Sequence, residues 1–445
     1  MDSIDFGSAS LPLTTAQTGM WLAQKFMPDT EFNLAEALEI HGPIDPALLQ
    51  AALRQLTQEA ETLRIRFVEG IDGPRQIVRP RYDGDIPFVD FSAEADPRQA
   101  AGQWMKADYN RPLNLLTDEL WFSAVLKITP DVFFWYHRAH HIVLDGLSGG
   151  LCARRVAELY TALVEDRPPG DDTAFGALPE LLAEEAGYRG SDRFARDRQY
   201  WMERFADTPP PITLSDRKVG APGPLRDQSA MPAETVAALR RLAQSVGASL
   251  PQTLIALTTA FLHRMTGVED LVVGLTVTAR ANGRMRRTPS MLANAVPLRL
   301  KIGPGMSMLE LIRQVGTEVR QCLRHQQYRY EDMRRDLNLL PNNQQLFTML
   351  VNIEPFDYDL RFGGHAMTPH NLTNGSTNNL GVFIYDRGDD KGLHIDFDAN
   401  AALYTPDDLA GHRERLLRLI ESIKDRKSTR LNSSHLAVSR MPSSA

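Results

Sequence analysis

Cysteine is nearly absent: Cys152 and Cys322 are the only two in 445 residues. Both fall in helix-like stretches without metal-ligand spacing. A disulfide framework or thiolate zinc site is therefore not expected, and both read as small buried hydrophobes. Long apolar runs are missing as well. No stretch approaches the roughly 20 residues that cross a bilayer. The opening residues Met1 to Ser10 are acidic and lack the apolar segment of a secretory signal. A cytoplasmic, reducing setting with no membrane partner is the expectation. Positive charge is not in excess either. With 49 Lys and Arg against 56 Asp and Glu the formal net charge is −7, which argues against a nucleic-acid partner held by a basic face.

What is present in quantity is ordinary core material, 43% hydrophobic residues with 24% charged. Thr14-Thr15-Ala16-Gln17 ahead of Met20, Trp21, Ala23 and Phe26 predicts a capped helix. A strand at Leu34 to Ile40 and a helix at Pro46 to Thr57 follow. Strands at Leu120 to Ile128 and Val132 to Ala139 flank the turn Thr129-Pro130-Asp131 and read as a hairpin. Leu151, Val156, Leu159, Tyr160 and Leu163 then recur at helical spacing. Beyond the proline-rich stretches near Pro210 and Pro224, helices are expected at Pro232 to Val246, Pro251 to Met265, Met308 to Gln326 and Pro406 to Lys424. Strands are expected at Leu271 to Thr278, Ala295 to Ile302, Leu346 to Ile353, Leu380 to Tyr385 and Leu393 to Phe397. Two stretches of similar mixed make-up predict two α+β lobes, each a two-layer sandwich. Their expected bounds are 1–175 and 229–426, with a connecting region at 176–228. Residues 427–445, rich in serine and basic side chains and without periodicity, are set aside as a non-native-looking tail.

The chemistry concentrates at one strand end. His137, His140, His141 and Asp145 crowd between Phe133-Phe134-Trp135-Tyr136 and Ile142-Val143-Leu144. Histidine and carboxylate buried in such surroundings need hydrogen-bond partners. A structural polar knot, a metal site and proton-transfer chemistry compete. No further His or carboxylate cluster supports the metal, so none is expected, and imidazole is the usual proton-transfer group near neutral pH. Gly146 stands where a helix begins and backbone N–H groups are unpaired. Ser148 suits a helix cap or a substrate contact, and Trp21 and Trp135 read as core.

His140-His141-x-x-x-Asp145-Gly146 resembles the HHxxxDG signature of nonribosomal peptide synthetase condensation domains, members of the chloramphenicol acetyltransferase-like superfamily. Other stretches resemble that family's blocks in the right order: Leu11 to Gln17 with Trp21, Leu63-Arg64-Ile65-Arg66-Phe67, Gln199-Tyr200-Trp201, Val273 to Arg280, Asn294 to Arg299, and His325-Gln326 to Glu331-Asp332. The likeness covers about Leu11 to Lys424. Where many members carry His-Glu this chain reads Glu59-Ala60-Glu61-Thr62, and the Asp-rich signature of heterocyclization domains is absent. Along its length, including Asn352 to Tyr358, the chain resembles most the opening condensation domain of enterobactin-type siderophore synthetases.

The resemblance implies a pseudo-dimeric, V-shaped pair of chloramphenicol acetyltransferase-like lobes. The implied reaction is amide formation between an acyl thioester, possibly aryl, and the amine of an aminoacyl thioester. No cofactor is expected on the chain itself. Both substrates would ride on the 4'-phosphopantetheine of partner carrier domains, an upstream aryl or peptidyl carrier as donor and a downstream carrier as acceptor, with an adenylation domain continuing the protein. His141 is implied as the group that accepts the amine's proton or fixes the amine, and His140 as a holder of the loop. Asp145 is implied to pair with Arg280, the Gly146 N–H to receive oxyanion charge, and Ser148 and Asn294 to stand near the substrate tunnel. An epimerization domain of the same fold and a non-catalytic recruitment module are the alternatives.

Overall fold

The computed structural model describes residues 10–28, 30–170, 175–215, 223–354, 359–386 and 392–424. The chain divides into two compact units. The first comprises Met1–Ser191, Ala279–Ala293 and Asp357–Gly375, and the second Asp192–Thr278, Asn294–Phe356 and Ser376–Ala445.

The first unit is built on a six-stranded sheet ordered Arg361–Phe362, His365–Asn374, Asn33–His41, Val132–His140, Trp121–Thr129, Phe88–Asp90. Its centre is the predicted hairpin, in which Trp121 pairs with Ala139 and Val125 with Trp135. Val132–His140 is buried almost along its whole length, because both faces of the sheet are covered. On one face Ala35, Ala37, Ala124, Leu126, Phe134 and Tyr136 pack against Ala101 and Met105 of the helix Pro97–Tyr109. Trp135, facing the other way, donates from its indole N–H to Ser123 Oγ at 2.9 Å, and both Trp21 and Trp135 are buried. The helix Thr15–Phe26 begins in a capping box between Thr14 and Gln17.

The second unit carries its own six-stranded sheet, ordered Asn294–Lys301, Asp270–Val277, Met349–Glu354, Leu380–Asp386, Leu393–Asn400, Pro224–Met231. Met349–Glu354 runs parallel to both its neighbours, and the remaining pairs are antiparallel. The helices Leu250–Thr266, Met308–Arg324 and Pro406–Lys424 contribute Leu254, Phe261, Leu311, Val315, Leu416 and Ile420 to its core.

The linear division expected at 175 and 229 differs from these units for a physical reason. The strand His365–Asn374 pairs antiparallel with Asn33–His41, so a late segment of the chain completes the first sheet. The expected connecting region is not a body of its own. Its helix Leu178–Arg189 is tied to the first unit, where Glu185 accepts from the Thr15 N–H and Glu61 from the Leu178 N–H. Its helix Asp192–Arg204 buries Trp201 in the second unit's core. Its last strand, Pro224–Met231, edges the second sheet. The tail 427–445 and residues 355–358 lie outside the described residues.

Candidate active site

The strand Val132–His140 ends at the first histidine of the doublet, and the helix Gly146–Val164 begins after Asp145. Ile142, Val143 and Leu144 in the intervening turn are fully buried, so the turn is anchored by apolar side chains while its polar groups do other work. Backbone bonds fix its start: the His140 N–H donates to Leu120 O and the His141 N–H to Phe32 O, both at 2.7 Å.

The two imidazoles are held in opposite tautomers. His140 Nδ1 accepts the Ile142 N–H at 3.1 Å, so its proton is on Nε2, which lies 3.0 Å from Gln24 Oε1. Burial, followed by the charges of His141 and Arg138, pushes its pKa down to about 3. His140 is therefore a neutral structural ring. His141 Nδ1 lies 2.9 Å from Leu144 O, and a carbonyl only accepts, so Nδ1 carries the proton. Nε2 keeps its lone pair and has no partner among the described residues. The His141 side chain is partly exposed. Desolvation lowers its pKa, with the Asp145 charge opposing, which keeps the ring neutral near pH 7.

Asp145 behaves in the opposite way. It is the N-cap of the helix and accepts from the Ser148 N–H at 3.0 Å. Arg280 reaches it through two nitrogens, at 2.7 and 3.0 Å, and the Leu292 and Ala293 N–H groups donate to its Oδ2 at 3.0 and 2.9 Å. Burial alone would raise its pKa, but the Arg280 charge and these hydrogen bonds outweigh that and hold it at about 2. Both side chains of the pair are sealed from water. The preceding residue, Ala279, sits at φ 52°, a left-handed conformation that costs a non-glycine residue about 1–3 kcal/mol.

The profile of the Condensation domain family matches residues 8–440, a span that runs into the stretch 427–445. A dimodular nonribosomal peptide synthase of Bacillus subtilis is 42% identical over 412 residues, covering 92% of this chain and 17% of that protein. The chain belongs to the condensation domain family. Among solved structures, a doubly substituted variant of the starter condensation domain of rhizomide synthetase RzmA, in complex with C8-CoA and Leu-SNAC, superposes with a TM-score of 0.89. It is 39% identical, and the match covers 95% of this chain and 96% of that one. Enterobactin synthase component F of Escherichia coli is 29% identical over 424 residues, covering 93% of this chain and 32% of that protein. It is the more distant of these relatives, so the special likeness to enterobactin-type domains expected from the sequence gives way to a broader one. This condensation domain is an acyltransferase that forms amide bonds in nonribosomal peptide synthesis. Its fold is the mixed α+β fold with two sheet-containing lobes. It spans only a small part of the multimodular synthases it matches.

Two expected tunnel residues are otherwise engaged in this condensation domain. Ser148 neither caps the helix, since Asp145 does, nor reaches solvent. Its Oγ accepts from Arg280 Nη2 at 2.8 Å and from the Ser290 N–H at 2.9 Å. It also lies 2.8 Å from both Asp145 Oδ1 and Ser290 O, one of which takes its single proton. Asn294, the first residue of its strand, donates to Gln326 O and Tyr328 O at 3.0 and 2.9 Å and accepts from the Tyr330 N–H. It pins a loop. Gly146 is exposed at the helix start, and its N–H has no hydrogen bond among the described residues. His137 lies 3.6 Å from Glu36, on the opposite face of the strand from His140 by register. Ser290, Leu292 and Ala293 carried no signal in the sequence, because all three act through backbone groups. Gln24 was missed as well.

Proposed function

We propose that His141 Nε2 accepts the proton released when the acceptor amine attacks the donor thioester. The observation that carries this reading is the ring's tautomer, with Nδ1–H spent on Leu144 O and Nε2 left unprotonated. A thioester is already activated, so holding the two reactants together supplies much of the acceleration. What remains for protein side chains is the proton of the nitrogen as it bonds to carbon, a contribution of about 10²–10⁴ in rate. The exposed Gly146 N–H, at the positive end of a helix, suits the oxyanion of the tetrahedral intermediate. Asp145 transfers no proton; it shapes the turn.

The substrates we propose are two carrier-bound thioesters, donor and acceptor each on a phosphopantetheine arm of a neighbouring carrier domain. An adenylation domain in the complete synthetase would load the acceptor. For the donor we favour an aliphatic acyl group over an aryl acid. The RzmA starter domain, 39% identical, was captured with C8-CoA, whereas the aryl reading leans on a relative at 29%.

One assay tests both parts. Product formation is followed by mass spectrometry with an aminoacyl acceptor and either an octanoyl or an aryl thioester as donor, for the natural protein and for His141→Ala. Octanoyl product from the natural protein and a fall of about 10²–10⁴ in the variant, with an unchanged melting curve, are expected. Near-natural turnover by His141→Ala defeats the proton-acceptor role. Aryl product alone defeats the donor assignment.

A further inference from the structure

Gln24 stands on the helix Thr15–Phe26, far in sequence from the doublet, and its amide is fixed at both ends. Its Nε2 faces three backbone carbonyls, of Pro28 at 3.1 Å, Thr30 at 3.4 Å and Met27 at 3.5 Å. Carbonyls accept only, so the NH2 group must point to them and Oε1 must point to His140. His140 Nδ1 already accepts the Ile142 N–H, so the ring has its proton on Nε2 and must donate to Gln24 Oε1, 3.0 Å away. Two independent constraints thus select the same proton positions. The segment that Gln24 grips leads into Phe32, whose carbonyl takes the His141 N–H. Met27, Pro28, Thr30 and Phe32 are therefore joined to the doublet by two paths, one through the Gln24 amide and the His140 ring and one through the Phe32 carbonyl. Phe32 also lies against the His140 ring, with centroids 6.2 Å apart.

We infer that Gln24 is a positioning residue of the condensation reaction: through His140 it sets the tilt of the turn that carries His141 and fixes the tautomer of the ring beside it. It acts through His140 rather than on the reacting atoms. A carboxylate here would reverse the electrostatics. The side chain introduced by Gln24→Glu would still accept from His140 Nε2 while favouring the imidazolium, putting a positive charge next to His141.

This inference rests on the proposed proton-acceptor role of His141, and the test separates the two. Gln24→Leu, Gln24→Glu and His141→Ala are compared in the full chain by kcat, KM, melting temperature and the pH profile of kcat. Gln24→Leu is expected to lose about tenfold in kcat with KM unchanged. Gln24→Glu should recover most of that loss above pH 8, where His140 is again neutral, while its acid limb, now set by deprotonation of His140, moves to higher pH. A residue serving only to hold the helix end would not move that limb. Natural kcat and an unmoved limb in both Gln24 variants, with His141→Ala inactive, overturn the inference and leave the His141 reading standing. Turnover retained in His141→Ala overturns the reading beneath it. If Gln24→Leu melts early, Gln24→Glu alone decides: a shifted limb supports the inference and an unshifted one rejects it.

Discussion

In the first unit the hairpin of Trp121–Thr129 and Val132–His140 passes the chain through residues 141–145 into the 19-residue helix Gly146–Val164. In the second, the hairpin of Leu380–Asp386 and Leu393–Asn400 passes it through residues 401–405 into the 19-residue helix Pro406–Lys424. The backbone device is shared, yet the two turns are finished differently. The second is closed by its own side chains together with neighbouring segments, Ser215 Oγ donating to Leu403 O and the Ala401 N–H to Gly223 O. Asn400 Oδ1 accepts the Ala402 N–H at 2.9 Å, the Tyr404 hydroxyl donates to Asn379 Oδ1, and Thr405 and Asp408 cap each other reciprocally. The first brings in a distant arginine, saturates its capping carboxylate and leaves one imidazole nitrogen unused. A strand, turn and helix in sequence are thus a scaffold, and in the first unit the cap is locked so firmly that a neighbouring polar group need not join it.

The sharpest way to break this contrast is at Asp145. Asp145→Ala leaves Arg280 buried without its carboxylate, and we expect a loss of about 3–5 kcal/mol, measured by denaturant unfolding. Adding Arg280→Met should restore a large part of it. A loss below about 1 kcal/mol in the single variant, the range of an exposed pair, would place the turn's stability elsewhere.

A smaller effect comes from acid. His140 and His412 are buried, and desolvation leads the causes that hold them well below the ordinary imidazole value, at about 3 and about 4. The unfolded rings bind protons from about pH 6.5 downward, so the unfolded state takes up more protons than the folded one in this window. Stability is fully present at pH 7. It declines as pH falls from about 6.5 toward 4 and 3, by up to about 1.4 kcal/mol per pH unit for each group. His412→Leu, in the second unit between Phe261 and Tyr404, should flatten part of that decline. The slope that remains belongs in part to His140 in the first.

The least effect is expected at the self-contained cap. Thr405→Ala should cost about 1 kcal/mol and leave turnover where it was. A catalytic defect there would show that the second turn is more than scaffold.

Much of this was legible in the sequence where hydrophobic pattern was strong. The central hairpin and the helices at 308 and 406 were recovered nearly to their bounds, since burial on one face imposes the period. The strands Pro224–Met231 and His365–Asn374 were not. The first edges its sheet with only Met231 fully buried, and the second carries Pro369 among polar residues, so neither shows an apolar alternation. The helix Pro97–Tyr109 buries only Ala101 and Met105, too few to register. The motif itself was readable because it is contiguous. The pairing of Asp145 with Arg280 spans 135 positions and came only from family resemblance. The Gln24 contact, 116 positions from His140, came from nothing local, because one glutamine on a half-exposed helix looks like any other.

Everything at the first turn depends on where one proton of His141 sits. Nitrogen-15 spectra of the histidine-labelled protein, with the His141 signals assigned by substitution, report tautomer and titration together. We expect a neutral His141 at pH 7, protonated on Nδ1, with a midpoint below the ordinary imidazole value of about 6.5. A ring protonated on Nε2, or an imidazolium at pH 7, would contradict this expectation.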